Sequence, residues 1–292
     1  MVGGIPLTVR TLYEQGLKKL TECSVENPQT DARAILENIL NIDFGKIILH
    51  YDDVCEESAA EIYLEKISQR CGFMPLAYII NHKEFFSLPF FVKEGVLVPR
   101  PETENLVSAV LSAVEGREKL KIADVCSGSG CIGIALARNL TNSDIFLFDV
   151  SEIAVEVANI NKNRLNTYNV SVFQKDILAN DLRTDGNSDG LFDVIVANPP
   201  YIPSDEMDDL MPDVQLHEPK IALTDYGDGM TFYKRITVLA KKHLRSGGIL
   251  AFEVSINRHN DVKRLVNDVF PDNGVEIIND YFGIERIVLM HN

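Results

Sequence analysis

A short motif, Asn198-Pro199-Pro200-Tyr201, directly follows an apolar stretch that ends at Ala197. Proline has a fixed φ and no N–H donor, so two prolines make a stiff loop whose carbonyl oxygens point in set directions. The carbonyls of Asn198 (side chain) and Pro199 (main chain) can both accept hydrogen bonds from one planar –NH2 group. Tyr201 offers that group a flat apolar wall. All four residues of the motif are therefore predicted to be catalytic. The group bound is the terminal amide of glutamine or asparagine, or the exocyclic amine of adenine or cytosine.

A second candidate site is a turn with two glycines between an apolar stretch, Ile122–Val125, and a helical pattern, Cys131–Asn139. Glycine lets the backbone approach a ligand closely, and a helix N-terminus offers free N–H groups to an anion. The spacing Gly128-x-Gly130-x-x-Gly133 also matches the dinucleotide fingerprint. NAD, S-adenosylmethionine and a plain strand-to-helix turn all stay open at this point. The residues predicted here to bind a cofactor are Cys126, Ser127, Gly128, Ser129 and Gly130.

An acidic residue, Asp149, ends the next apolar stretch about 20 residues after the first glycine, where a carboxylate accepts hydrogen bonds from ribose hydroxyls. Both NAD and S-adenosylmethionine carry that ribose, so Asp149 favours a nucleoside cofactor without choosing between them. Asp176 and Ile177 follow the third apolar stretch and are predicted to lie beside the adenine. Asn198 is predicted to contact the cofactor as well.

Strands and helices alternate from about Lys121 onward, which is typical of an α/β fold with an open, mostly parallel sheet and helices on both faces. The carboxyl ends of such strands form the usual ligand crevice, where all the candidate residues lie. The predicted strands are Ile122–Val125, Ile145–Phe148, Val170–Phe173, Val194–Ala197 and Ile249–Val254, and the predicted helices between them include Ile153–Leu165 and Phe232–Leu244.

The chain before this region has helical periodicity. Thr8 is predicted to cap a first helix, Thr30 a second, and a third is predicted to begin at Ser58. Such a bundle recognises a partner or only supports the rest. Between Glu84 and Val98, alternating apolar and aromatic residues predict a β-hairpin. The predicted domains are residues 1–83, a small helical domain; 84–104, a hairpin linker and proline-rich block; and 105–292, the α/β domain.

Composition narrows the class of protein. The 28 Lys and Arg against 43 Asp and Glu give a net charge of −15, which opposes a nucleic-acid phosphate backbone over most of the surface. No apolar run approaches the roughly 20 residues of a membrane span, and no secretory signal is visible, so the cytoplasm is predicted. The five cysteines show no C-x-x-C pair, and the histidines show no metal-ligand spacing; free thiols and no metal site are predicted.

Taken together, these motifs resemble a class I S-adenosylmethionine-dependent methyltransferase, and more narrowly the release factor glutamine methyltransferases of the HemK/PrmC family. The similarity covers nearly the whole chain, and its most specific part is the block before the glycine turn. Three positions depart from the family, which usually has glycine at Cys126, near Asn81 and at Ser255; Cys126 predicts a tighter or shifted turn. The matching segments are Pro75–Ile79, Glu84-Phe85, Leu97–Glu104, the glycine turn, Asp149, Asn198–Ile202, Glu218-Pro219, Ala222-Leu223 and Gly283–Arg286.

The resemblance implies a Rossmann-like domain with a mostly parallel seven-stranded sheet, joined by a β-hairpin to a small N-terminal helical domain that recognises the substrate. It implies S-adenosyl-L-methionine as cofactor and S-adenosyl-L-homocysteine as product. The implied substrate is the glutamine side chain in the GGQ motif of a peptide chain release factor, methylated at its amide nitrogen, N5, with an effect on translation termination. The enzyme is expected to be a monomer. No residue type indicates a general base; Glu102, Glu104 and Glu218 are equally explained by loop hydrogen bonds and salt bridges.

Other functions use some of the same residues. A ribosomal-protein glutamine methyltransferase shares the Asn-Pro-Pro-Tyr motif, and a DNA or RNA adenine amino-methyltransferase binds a flipped base in the same way. An NAD-dependent oxidoreductase leaves Asn198–Tyr201 unexplained. A binding module without catalysis leaves both motifs unexplained. The acidic charge and the helical N-terminal region favour a protein substrate over a nucleic acid.

Overall fold

The computed structural model describes residues 7–292, and the backbone alone of Phe44. The chain forms two compact units. The helical unit comprises residues up to His82 together with Met211–His217, and the sheet unit comprises Lys83–Leu210 and Glu218–Asn292. The first six residues of the predicted N-terminal domain lie outside the described part.

The helical unit is built from amphipathic helices around one apolar cluster that includes Leu12, Leu36 and Tyr63, all fully buried. Thr8 caps the first helix as predicted, since its hydroxyl accepts a hydrogen bond from the backbone N–H of Thr11. The helices of this unit are α1 (Val9–Glu22), α2 (Pro28–Leu40), α3 (Phe44–Leu49), α4 (Glu57–Cys71), α5 (Leu76–Ile80) and, from the distant segment, α9 (Pro212–His217).

Two predicted helix starts in this unit are wrong, one by three residues and the other by one. Helix α2 begins at Pro28, so Thr30 lies inside its first turn and is not the cap. Proline is well suited to that first position because its fixed φ is helical and the N–H it lacks has no partner there anyway. Helix α4 begins at Glu57, one residue before Ser58.

The prediction that every cysteine is a free thiol is also wrong. A disulfide joins Cys23, at the end of α1, to Cys71, at the end of α4, with their Cα atoms 5.5 Å apart. The two residues are 48 positions apart in sequence, and packing of the two helices brings their ends together. Cys55, Cys126 and Cys131 are free.

A short hairpin opens the sheet unit, with β1 (Lys83–Phe85) paired antiparallel to β2 (Leu88–Phe90). It ends earlier than the predicted Val98. After β2, the backbone N–H and carbonyl of Phe91 are hydrogen-bonded by the side chain of Asn161, at 2.7 and 3.0 Å. Because these backbone groups already have partners, strand pairing stops there.

The main sheet confirms the predicted open, mostly parallel arrangement. Its seven strands are β3 (Lys121–Val125), β4 (Asp144–Asp149), β5 (Val170–Gln174), β6 (Phe192–Ala197), β7 (Leu244–Glu253), β8 (Gly274–Asn279) and β9 (Glu285–His291). They lie in the order β5-β4-β3-β6-β7-β9-β8; the first five are parallel, and β9 and β8 are antiparallel to their neighbours.

Helices cover both faces of the sheet, and the sheet separates two apolar clusters, one on each face. The α-helices of this unit are α6 (Glu104–Ala113), α7 (Cys131–Asn139), α8 (Glu152–Arg164), α10 (Lys220–Leu223), α11 (Thr231–His243) and α12 (His259–Val269), and short 3₁₀ turns occur at Pro101–Thr103 and Ser204–Asp209. Residues of α6, α7 and α8 pack on one face of the sheet, and residues of α11 and α12 pack on the other.

Candidate active site

A cavity of about 290 Å³ lies in the sheet unit where β3, β4 and β6 end. Parallel strands bring the residues after their carboxyl ends to one edge of the sheet, which is where ligands bind in such folds. Both candidate motifs border this one cavity. Of the predicted site residues, those lining it are Cys126, Ser127, Gly128, Ser129, Asp149, Asp176, Ile177, Asn198 and Pro200.

Three predicted site residues, Gly130, Pro199 and Tyr201, do not line the cavity. Gly130 is the N-cap of α7 and has φ +79°, a left-handed conformation that glycine adopts without strain. Pro199 is buried, and its role as a main-chain acceptor for a substrate stays a prediction. Tyr201 packs against the core cluster on the α11 face, where burial raises the pKa of its phenol. Its role as an apolar wall for a substrate stays a prediction.

The glycine turn has the geometry of a glycine loop even where it carries cysteine. Cys126 has φ +61°, in the left-handed region that favours glycine, so a residue with a Cβ occupies a strained position. Burial raises the pKa of its thiol, and the carboxyls of Asp149, Asp124 and Asp176 raise it further. The thiol therefore stays protonated and is not available as a nucleophile.

A close approach of helix to sheet explains the third glycine of the fingerprint. A Cβ on Gly133 would meet Leu147 of β4 and Asp124 of β3, so only glycine lets α7 pack at this distance. The Gly133 N–H donates to the Asp124 carboxylate at 2.8 Å. The fingerprint is thus explained by packing, without a contact between Gly133 and the cavity.

Asp149 ties the glycine turn to the end of β4. One carboxylate oxygen accepts from the Gly128 N–H at 2.8 Å, and the other accepts from the Ser151 N–H at 2.9 Å. A carboxylate has about four acceptor positions, so each oxygen keeps one for a ligand hydroxyl. Burial raises the pKa of Asp149, and the backbone N–H groups of Ser151, Gly128 and Val150 act against that rise. The site therefore has an acceptor pair at the position where a ribose is expected.

Asn198 borders the same cavity from the end of β6. Its side-chain nitrogen donates to the Thr103 hydroxyl at 3.3 Å, and Thr103 is itself buried. With the nitrogen engaged, the carbonyl oxygen of the Asn198 amide is free for another donor. This orientation suits the acceptor role predicted from the sequence.

The proline-rich block is a part of the cavity wall that residue types alone did not assign to the site. Its residues Pro99, Arg100 and Thr103 line the cavity. Arg100 forms an ion pair of 2.7 Å with Glu218, whose side chain is almost fully buried. Glu104 accepts a hydrogen bond from the Phe86 N–H at 2.9 Å. For Glu218 and Glu104, the ion-pair and loop hydrogen-bond roles are therefore the ones observed.

Other cavity-lining residues also lack a residue type that would single them out. The sequence did give one indication of them, because several follow the Glu218-Pro219 segment that matches the family. The set includes Val96, Leu97, Phe148, Lys175, Ile221, Ala222, Thr224, Tyr226 and Phe232.

Within residues 7–292, no group of three or more His, Cys, Asp or Glu side chains is arranged to hold a metal ion. Nor is any helix in that range long and apolar enough to cross a membrane.

Two family models match the chain in succession. One, described as the PrmC N-terminal domain, matches residues 11–80. The other, described as the methyltransferase small domain, matches residues 102–229. The second range contains the glycine turn, Asp149 and the Asn-Pro-Pro-Tyr loop.

Relatives of known name match over most of the chain. A release factor glutamine methyltransferase of Clostridium acetobutylicum is 36% identical over 272 residues, which cover 92% of this chain and 93% of the relative. One of Fusobacterium nucleatum is 35% identical over 283 residues, covering 95% of this chain and 77% of the relative.

A solved structure shows the same fold at low identity. The catalytic domain of hMettl16, solved in complex with the MAT2A 3′UTR hairpin 1, superposes with a TM-score of 0.56 and 16% identity, covering 81% of each chain. Together with the sheet order, this confirms the predicted class I methyltransferase fold, which is that of S-adenosylmethionine-dependent enzymes. Since relatives with 36% and 35% identity span nearly its whole length, the chain belongs to the release factor glutamine methyltransferase family.

Proposed function

We propose that this protein methylates the side-chain amide nitrogen, N5, of the glutamine in the GGQ motif of a peptide chain release factor, and so modulates translation termination. The methyl donor is S-adenosyl-L-methionine and the other product is S-adenosyl-L-homocysteine. The observation that carries the proposal is the position of Asn198, whose amide lines the same cavity as the glycine turn and Asp149. The names of its relatives indicate the same substrate.

The residues present suit the proposed cofactor. Asp149 keeps acceptor positions for the two ribose hydroxyls, and the turn Cys126–Gly130 lies beside it. Ile177 lines the cavity with an apolar side chain, and the Asp176 carboxylate accepts from the Leu178 N–H at 2.8 Å, which fixes its direction. These two residues are proposed to hold the adenine. When bound, the cofactor supplies an electrophilic methyl group on its sulfonium.

The enzyme's main contribution is alignment. An amide nitrogen is a poor nucleophile because its lone pair is delocalised into the carbonyl. The Asn198 side-chain oxygen is proposed to accept a hydrogen bond from one hydrogen of the substrate –NH2. The Pro199 main-chain oxygen is proposed to accept from the other, although Pro199 does not line the cavity in this structure. They orient the nitrogen and stabilise the positive charge that develops on it during transfer. After transfer the nitrogen is far more acidic, so its proton can pass to water without a dedicated general base.

The substrate is tested by incubating the protein with methyl-labelled S-adenosylmethionine and a purified release factor. We expect label in the release factor, confined by mass spectrometry to the glutamine of its GGQ motif. A glutamine-to-glutamate change at that position should abolish labelling, because the acceptor nitrogen is gone. Parallel reactions with ribosomal proteins and with DNA or RNA complete the test. Label in either of those and none in the release factor would mean that the proposal is wrong.

The helical unit is proposed to recognise the release factor. It exposes three aliphatic side chains in the short stretch of residues 48–54: Ile48 is 50% exposed, Leu49 81% and Val54 63%. Clustered exposed apolar side chains are typical of surfaces that bind another protein. The proposed domains are those predicted from the sequence, 1–83, 84–104 and 105–292, with Met211–His217 added to the first.

We expect Leu49→Gln to raise the KM for the release factor about tenfold, since a buried Leu side chain contributes roughly 1.5–3 kcal/mol to an interface. The kcat and the affinity for S-adenosylmethionine should stay unchanged. Steady-state kinetics with the intact release factor measure this. The matched control is Val238→Gln, because Val238 is an exposed aliphatic residue of α11 in the sheet unit (54%). An unchanged KM for Leu49→Gln would remove this surface from the interface.

The finer statements about the setting of this activity stay predictions: a monomer, in the cytoplasm, without a nucleic-acid substrate. The net charge of −15 supports the last of these.

A further inference from the structure

A buried carboxylic acid lies directly beside the Asn-Pro-Pro-Tyr loop. Glu253 ends β7 and is only 1% exposed. Strands β6 and β7 are parallel, with Ala197 paired to Phe252, so the residues that follow, Asn198 and Glu253, are neighbours at the edge of the sheet. The proposed reaction gives this acid no role so far.

Few groups compensate for the burial of the Glu253 carboxylate. Neither of its carboxylate oxygens completes a hydrogen bond among residues 7–292. The side-chain donors that face it are the Thr103 hydroxyl and the Asn198 amide. A buried, unsatisfied carboxylate is costly, so groups that can donate to it are strongly constrained to do so.

This constraint sets the direction of a chain of hydrogen bonds. An ionised carboxylate can only accept, so the Thr103 hydroxyl must donate its one proton towards Glu253. The Thr103 oxygen can then only accept from Asn198, and the atom that contacts it must be the amide nitrogen. That is the contact observed, at 3.3 Å. The Asn198 carbonyl oxygen is then the atom left for the cavity.

We propose that Glu253 is a positioning residue that acts through Thr103 and holds the Asn198 amide with its oxygen, and not its nitrogen, towards the substrate. The enzyme is thereby specific for acceptors that carry an –NH2 group. The proposal rests on the proposed function only for the identity of that acceptor. It deepens that function by naming the groups that prevent the Asn198 amide from turning over.

The pKa of Glu253 lies where a change of pH near neutrality changes its protonation state. Burial raises its pKa to about 7, with the Thr103 and Asn198 side chains and Arg286 acting against the rise and Glu102 adding to it. Once protonated, the carboxyl can donate as well as accept, and the direction of the chain is no longer forced. The active form is the ionised one, so kcat/KM should rise with pH through about 7.

Three other titratable groups of the sheet unit do not titrate in this range. The pKa values of Tyr201 and Tyr233 are raised by burial, and that of Cys131 is raised to about 12, so all three stay neutral. The pKa of Asp124 is also raised to about 7, on β3. Variants at Glu253 leave Asp124 in place. Any pH dependence of kcat/KM that persists in them is therefore due to Asp124 or another group, and not to Glu253.

The first test is Glu253→Gln, which keeps the shape of the side chain but can donate. We expect kcat to fall about ten- to hundredfold, with the KM for the methyl acceptor and the affinity for S-adenosylmethionine unchanged. The rise of kcat/KM through pH 7 should disappear. Thr103→Val should give the same two losses, and Thr103→Ser, which keeps the hydroxyl, should restore both. The matched control is Glu276→Gln, at an exposed glutamate on β8 of the same sheet, which should behave as wild type.

A second measurement does not depend on activity or on a folded Glu253 variant. In the full-length ¹⁵N-labelled wild type, the side-chain amide resonances of Asn198 should shift with a midpoint near pH 7, and their assignment is checked by their absence in Asn198→Asp. A wild-type resonance that does not titrate, or a Glu253→Gln enzyme with wild-type kcat and pH profile, would overturn the role of Glu253. A wild type that titrates as expected but labels another acceptor would overturn only the release factor as substrate.

Discussion

Asn198→Ala should lower kcat roughly a hundred- to thousandfold. The change removes an acceptor whose hydrogen bond strengthens as the substrate nitrogen becomes positive, and loss of one such preorganised contact costs about 2.7–4 kcal/mol in the transition state. Binding of the release factor should change little, because the helical unit is proposed to carry most of that interface. Single-turnover kinetics with saturating release factor separate the chemical step from binding.

The control for this change is Asn163→Ala, at an exposed asparagine on α8 far along the chain from the loop. It should leave turnover unchanged. Asn198→Asp is the finer variant, because it keeps an acceptor but places a second carboxylate beside Glu253. Two neighbouring carboxylates raise the pKa of one of the pair, so we expect partial activity that improves less with pH than that of the wild type. A normal rate for Asn198→Ala would falsify the role of the loop in catalysis.

Asp149→Ala should weaken S-adenosylmethionine binding by about 1.5–3 kcal/mol, or roughly ten- to hundredfold, through lost hydrogen bonds to a charged acceptor. The structure gives a second reason for the loss, since the Gly128 and Ser151 N–H groups lose their partner as well. The glycine turn is then held less firmly. Isothermal titration calorimetry measures the affinity directly, without a protein substrate.

Asp144→Ala is the matched control, because Asp144 is an exposed aspartate at the opposite end of the same strand, β4. Its affinity should equal that of the wild type. In the wild type, affinity should also decline as the pH falls, since burial raises the pKa of Asp149 and a protonated carboxyl loses acceptor positions. Unchanged affinity in Asp149→Ala would exclude this carboxylate from the cofactor site.

The bounds of single helices and strands could be predicted from the sequence, because they depend on residues within the element or next to it. Helix α7 has the bounds predicted from the sequence, Cys131–Asn139, because a glycine in the left-handed conformation at Gly130 marks its start. The parallel strands were likewise predicted to within a residue or two at most ends, since each is an apolar run. Strand order and the antiparallel pair β8 and β9 depend on packing between distant segments, which no single run of residues reveals.

The candidate site likewise has parts that the sequence predicts and parts that it does not. The glycine turn and the Asn-Pro-Pro-Tyr loop are contiguous in sequence and can be recognised one at a time. Thr103, Asn198 and Glu253 come from three distant segments, and only the register of β6 and β7 brings Asn198 beside Glu253. A signal was present, since Glu253 is a lone carboxylate near the end of an apolar strand. Its meaning depends on burial, which sequence spacing does not report.

The sequence was less informative about the disulfide than about Cys126. The disulfide between Cys23 and Cys71 depends on how α1 and α4 pack, so spacing alone predicted free thiols. At Cys126, the resemblance to a glycine position did carry information, because the left-handed φ of +61° is a backbone conformation that glycine favours. Asn81, near which glycine is also usual in the family, has a left-handed φ of +51° as well, and asparagine tolerates that conformation well.

Helix α9 has a consequence for how this protein is made and how it can be recombined. Met211–His217 belongs to the helical unit, where Val214 is buried and the His217 ring is hydrogen-bonded to the Gly72 carbonyl at 2.8 Å. During synthesis from the N-terminus, this unit lacks its last piece until well over half of the chain has been translated. Its folding is thus completed only after the loop with Asn198 has emerged from the ribosome. A chimera that exchanges the first 82 residues between relatives must therefore exchange residues 211–217 with them.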